Sequence, residues 1–167
     1  MARHHIWKRV TFTPDDVFTL ASDIGDYPNF IKFISAVRIK EEHIHKGIRI
    51  LLAEVRIRYQ FIRERFSTHV HLNAQERTVE VKLARGPFRK LNNSWRIHAL
   101  DDGSSFVEFK VDYELNIPFL SQLLRTREDR AAASIMRAFE RRAAERFQPV
   151  GGPSEDMEAQ IKTIKGL

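Results

Sequence analysis

Seven histidines and a dense set of arginines are the residues of this 167-residue chain best equipped for chemistry. His43/His45 and His69/His71 each stand at i, i+2, which puts both members of a pair on one side of a strand. A zinc centre needs further ligands at set spacings. The chain has no cysteine, no HExxH run and no carboxylate placed to complete either pair. These histidines therefore read as solvated strand faces, and no metal site is expected. No nucleophile elbow surrounds any serine, and no glycine-rich loop is shaped for phosphate. No catalytic residue and no catalytic cofactor is expected. The arginines are different in kind: Arg125, Arg127, Arg130, Arg137, Arg141, Arg142 and Arg146 crowd one segment, and Arg56, Arg58, Arg63 and Arg65 crowd another. Glu128, Asp129, Glu140 and Glu145 offset part of the first group, with Arg141 and Glu145 at the i, i+4 spacing of a helical ion pair. Such surfaces suit anionic lipid or RNA phosphates.

The bulk composition agrees. A formal net charge of +6 favours acidic partners, whether nucleic acid, ribosomes or anionic membrane surfaces. Hydrophobic residues make up 43% and charged residues 30%, the balance of a folded globular chain rather than a disordered one. No run of about 18 apolar residues offers a membrane span. The first ten residues alternate like a strand and lack the apolar core of a signal peptide, so a cytoplasmic protein is the simplest expectation.

One long helix must organise everything else. Asn116 can cap it, Pro118 suits its first turn, and no Gly or Pro follows until Pro149. Apolar residues at Leu120, Leu124, Ala131, Ile135, Ala138/Phe139, Ala143 and Phe147 form a stripe spaced by threes and fours, with a possible bend at Arg127/Glu128. Upstream, His4–Phe12 reads as a strand. Thr13-Pro14-Asp15-Asp16 starts a helix that ends near Ser22, and Tyr27–Ile34, with Pro28 in its first turn, reads as a second short helix. Six more strands are expected: from Ser35, then Ile48–Tyr59, Gln60–Leu72, Thr78–Leu83, Lys90–Ala99 and Ser105–Leu115. Asp101-Asp102-Gly103 marks a hairpin turn. In the last strand Ser105, Val107, Phe109, Val111, Tyr113 and Leu115 alternate with Glu108, Lys110, Asp112 and Glu114, which predicts one dry and one wet face. The sum is an α+β fold: a seven-stranded antiparallel sheet curved around a long C-terminal helix, with two short helices after the first strand. Residues 1–147 are expected to form one ligand-binding domain, and residues 148–167, carrying Gly151-Gly152-Pro153, a flexible tail.

Gly86-Pro87-Phe88-Arg89-Lys90-Leu91-Asn92-Asn93-Ser94-Trp95 resembles the GPF(K/R)xLxxxW signature of the coenzyme Q-binding START-like family. Asp26-Tyr27-Pro28-Asn29-Phe30 is similar to that family's DxYPxF segment, and Phe139-Glu140-Arg141-Arg142-Ala143 to the FExRA of its last helix. The resemblance runs in order from about Arg3 to Phe147. Ile31-Lys32-Phe33 departs from it, standing where members carry a Leu-Pro-Trp-like run. The resemblance implies a helix-grip fold with a hydrophobic cavity that binds ubiquinone or a related prenylquinone. It implies a carrier or chaperone for respiratory electron transfer rather than a catalyst. The same family includes ribosome-association toxins, and the wider superfamily includes polyketide cyclases and aromatases, so fold alone does not select a role.

A prenylquinone needs an elongated apolar slot, in which each buried CH₂ contributes roughly 0.8 kcal/mol. Tyr27, Phe30 and Phe33 on the short helix, with Val107, Phe109 and Val111 on the last strand, are candidates for its lining. Phe88, Leu91 and Trp95 in the signature and Leu120, Leu124 and Ile135 on the long helix complete the set. The expected partners are a prenylquinone or similar hydrophobic molecule and peripheral contact with an anionic membrane, at the inner face of a bacterial plasma membrane. The ribosome is the alternative partner, and no DNA is expected.

Overall fold

In a computed structural model, which describes residues 2–59, 62–115 and 128–166, the chain builds one seven-stranded antiparallel sheet. Its strands are β1 (Ala2–Val10), β2 (Ile34–His45), β3 (Ile48–Tyr59), β4 (Ile62–Asn73), β5 (Thr78–Arg85), β6 (Phe88–Ala99) and β7 (Ser105–Leu115). The spatial order is β1-β7-β6-β5-β4-β3-β2, so consecutive strands from β2 to β7 pair as hairpins and β1 closes onto β7. Only the step from β1 to β2 crosses the sheet. It does so through α1 (Pro14–Ser22) and a 3-10 helix (Ile24–Asn29). Helix α2 (Glu128–Arg146) then packs against α1 and β1, and α3 (Glu158–Lys165) follows it.

The pleat explains the core. Leu72, Val79, Trp95, Phe109 and Ile6 stand directly opposite one another across β4, β5, β6, β7 and β1, one row on the concave face. The first four are fully buried, and Phe139 of α2 closes on Trp95 with ring centroids 4.5 Å apart. Helix α2 turns Ala132, Met136, Ala138, Phe139 and Ala143 inward, while Ile135 is half-buried. The stripe read from the sequence holds at Ala138, Phe139 and Ala143, with Ala132 and Met136 added to it and Ile135 at its edge. The expected start of the long helix at Pro118, with Leu120 and Leu124, lies outside the described residues.

Two local expectations are corrected. The second short helix spans Ile24–Asn29 rather than Tyr27–Ile34 and is of the 3-10 type. Pro28, without an N–H, sits at its end, and single turns (Ile31 N–H to Tyr27 O, 2.9 Å; Ile34 N–H to Ile31 O, 3.1 Å) hand the chain to β2 at Ile34, opposite Ile57. On β7, Glu108 of the expected wet face is buried (8% exposed), and so is Phe106 (3%) on the same side. Trp7 of β1 stacks on Phe106 at 5.4 Å, and Lys165 of α3 lies 5.8 Å from that ring.

Lys165 belongs to the segment expected to be a flexible tail, which is folded back onto the sheet. Val150 N–H donates to Thr11 O at 2.7 Å. Arg9 donates to Asp102 and to Gly152 O, both at 2.7 Å, and to the Ser154 hydroxyl at 3.1 Å. Gly152 N–H donates to the same Asp102 carboxylate at 3.0 Å. Gly151, at φ +91°, fits this knot because it has no Cβ: one would meet Asp102 Oδ2 at 2.7 Å and Arg9 Nη2 at 2.9 Å. Hydrogen bonds from Ser104, Gly152 and Arg9 hold the Asp102 carboxyl well below the usual carboxylate range.

Candidate functional site

The concave face divides into a sealed part and an open part. In the sealed part, Trp95 packs on Phe109 at 4.7 Å and on Phe139 at 4.5 Å, and Val107 lies beside them. Trp95, Val107 and Phe109 are 3%, 1% and 1% exposed, so three of the sequence-selected lining residues sit inside the core that fixes α2 to the sheet. Tyr27 of the 3-10 helix and Phe30 just after it close the same cluster, meeting Phe139 edge-to-face at 5.3 and 5.0 Å. The Tyr27 hydroxyl donates to Ala21 O, and burial, followed by the Asp23 charge, pushes its pKa up.

Toward the far end of the same face, apolar side chains stay half-exposed. Phe88 and Leu91 of β6, Val111 of β7, Phe33 before β2 and Ile135 of α2 all belong to this set. Phe66 of β4 and Tyr113 of β7 join them: Phe88 lies edge-on to Phe66 at 5.1 Å and to Tyr113 at 6.5 Å. Neither Phe66 nor Tyr113 is in the set read from the sequence, although the alternation of β4 and β7 carried the signal. Gly86 sets the spacing, since a Cβ there would overlap the Cβ of Phe66. The Gly-Pro pair is thus a close-approach device that lets β6 begin with Phe88 against Phe66.

Several polar groups near this face are paired. Lys8 of β1 and Glu140 of α2 pair at 2.7 Å, and His4 stacks with Tyr113. Asp26, at the start of the aromatic segment, takes two hydrogen bonds from Arg142, at 2.8 and 3.0 Å. Arg142 also lies 5.8 Å from the Phe30 ring, so one side chain of α2 holds both ends of that segment. Arg142 is also the residue that takes Glu145, at 3.1 Å and i, i+3, in place of the Arg141–Glu145 pair expected from spacing. Among the described residues no three His, Asp or Glu side chains gather as a metal site, and no helix is long and apolar enough to cross a membrane.

The sequence model for polyketide cyclase / dehydrase and lipid transport proteins matches residues 10–140. The chain belongs to that family. Its curved sheet and C-terminal helix are those of a START superfamily protein from Mycobacterium smegmatis, with a TM-score of 0.74 at 19% identity over 86% of this chain and 97% of the other. The 18 kDa protein CC1736 from Caulobacter crescentus is similar at 32% identity and a TM-score of 0.73, covering 87% of this chain and 97% of its own. Among curated proteins, the ribosome association toxin RatA of Escherichia coli K12 is 25% identical over 136 residues, 81% of this chain and 83% of the toxin. The fold is the one the motifs implied, and the family shown is the wider one of polyketide cyclase / dehydrase and lipid transport proteins. Family membership brings hydrophobic-ligand binding with it, and the family's description spans cyclases as well as lipid transport.

Proposed function

We propose that the protein binds ubiquinone or a related prenylquinone on the open part of the concave face and carries it to and from a membrane at the inner face of the cell, in support of respiratory electron transport and without catalysing a reaction. One observation carries this reading. The face is sealed around Trp95 and Phe109 but leaves Phe33, Phe66, Phe88, Leu91 and Val111 only partly buried, an extended apolar surface of the kind an isoprenoid chain covers. The pairing of Lys8 with Glu140 favours a binding role over acid–base chemistry, because neither group stands free to serve a substrate.

Native mass spectrometry with organic extraction, on protein from a ubiquinone-making host, tests the reading. The expected result is a co-purifying prenylquinone whose amount falls several-fold in a folded Phe88→Ala or Leu91→Ala variant. Unchanged loading in both folded variants would remove these residues from the site, and empty wild-type protein under gentle handling would count against the carrier role.

The likeness to RatA supports a second reading, a ribosome-binding inhibitor of subunit association, and the arginine-rich strands suit it. It requires salt-sensitive cosedimentation with ribosomal subunits. Absence of association at low salt would overturn it.

A further inference from the structure

On the outer face of the sheet, behind its open end, Arg56 stands directly opposite Arg65 and Arg58 directly opposite Arg63. Like charges facing each other across an antiparallel pair are destabilising, and all four side chains are exposed. Along each strand the two arginines are about 6.8 Å apart, two residues on the same face. Arg38 of β2, opposite Glu54, and Arg85 of β5, opposite Ser67, extend the patch, as does Lys40 through its ion pair with Glu54. Its central carboxylate is Glu54, which Lys40 occupies at 3.0 Å and Arg56 approaches at 3.8 Å. Glu41 follows one step further along β2, opposite Leu52. Arg58, Arg63, Arg65 and Arg85 form no ion pair among the described residues. A fold gains nothing by stacking four arginines in this way, so the arrangement points to an external anion.

Two grooves frame the patch. One, of about 590 Å³, runs between Ser35, Arg56, Ile57, Arg58, Arg63, Glu64 and Arg65. The other, of about 570 Å³, includes Lys40, Arg65, Ser67 and Arg85. The first also touches the mouth of the concave face: Arg58 N–H donates to Phe33 O at 2.8 Å, and Ile57 and Glu64 belong to the concave side of the same strands. Basic outer surface and apolar inner surface thus meet at one end of the sheet, where a lipid would enter.

We infer that this arginine ladder docks the open end of the sheet onto an anionic phospholipid surface, the guanidinium forks of Arg56, Arg58, Arg63 and Arg65 taking headgroup phosphates. The inference rests on the carrier reading for its purpose, and its occupant is chosen by position: a lipid surface engages the phosphate sites and the apolar mouth together, whereas RNA would use the arginines alone. Docking is electrostatic and therefore salt-sensitive.

Cosedimentation of the full chain with quinone-free vesicles tests it, comparing neutral phosphatidylcholine with the same lipid containing phosphatidylglycerol. Binding is expected only to the anionic vesicles. In Arg58→Gln/Arg63→Gln it should fall by about thirty-fold, at roughly fivefold per charge. The charge-matched Arg137→Gln/Arg141→Gln variant, on the exposed side of α2, should bind like wild type. Equal loss in both variants, or no wild-type binding to anionic vesicles, would overturn the proposal. So would tighter binding to structured RNA at the same salt, removed by the same two substitutions. Quinone content of Arg58→Gln/Arg63→Gln separates the two readings: retained quinone with lost vesicle binding supports both. Empty wild-type protein that still binds vesicles through the ladder would sink the quinone site alone.

Discussion

Asp26 and Arg142, 116 residues apart, are joined by two hydrogen bonds of 2.8 and 3.0 Å that tie the aromatic segment to the long helix. Burial alone would raise the Asp26 pKa. The hydrogen bonds from Arg142 and Asn29, with the charges of Arg142 and Arg146, hold it below the usual carboxylate range instead. A folded value below the unfolded one means that the bond's stabilisation is complete above the unfolded pKa of about 3.9 and is lost as pH falls through the folded value. Asp26→Asn is therefore expected to lower the urea midpoint at neutral pH, with the gap to wild type closing below about pH 4. Parallel urea titrations across pH check this. A gap that persists undiminished at low pH would mean that the charge of Asp26 is not what matters.

The latch at Arg9, Asp102 and Gly152 makes its own demand. Gly151→Ala must either leave φ +91° or press a methyl group into Asp102 and Arg9, at a cost of roughly 1–3 kcal/mol. Equilibrium unfolding should show that loss. Deletion of residues 148–167 should uncover Trp7 and Phe106 and shift tryptophan emission to the red, since Trp95 remains sealed. Unaltered emission after deletion would mean that the segment does not cover this face in solution.

This latch also shows where sequence reading stops. The alternation in β7 correctly gave Val107 and Phe109 to the core, because period two follows from the pleat whatever lies elsewhere. Glu108 was assigned to water, yet its side of β7 is covered at Phe106 by Trp7 from one end of the chain and Lys165 from the other, a contact that no local pattern encodes. The hairpin turns, the limits of β3 and the inward side of β4 were legible for the same local reason. The site was half legible: the family-like motif named Phe88, Leu91 and Trp95 together, but only the fold separates a sealed Trp95 from a half-exposed Phe88. Phe66 was missed because its importance comes from Gly86, twenty residues later, which lets Phe88 reach it.

That approach is itself testable. Gly86→Ala places a Cβ on top of the Phe66 Cβ, where strand pairing leaves little room to yield. The expected loss is roughly 1–3 kcal/mol in urea unfolding. Prenylquinone content should fall with it, because Phe66, Phe88 and Tyr113 move as one group. A variant with wild-type stability would show that the β4–β5–β6 corner is looser than its geometry indicates.

The division of the concave face predicts opposite outcomes for two phenylalanines. Phe109 is 1% exposed and packed on Trp95, so Phe109→Ala should cost about 3–5 kcal/mol, as cavity-forming substitutions in rigid cores do. Phe88 is half-exposed and has less packing to lose, and Phe88→Ala should cost about 1–1.5 kcal/mol. Ligand content should rank the other way. Phe88→Ala should remain folded yet carry much less prenylquinone, whereas the conservative Phe109→Leu should remain folded and loaded. Urea unfolding and extraction on the same preparations read both quantities. Were Phe109→Leu to empty the protein while Phe88→Ala stayed loaded, the ligand would lie against the Trp95 end, and the boundary between sealed core and open site would have to move there.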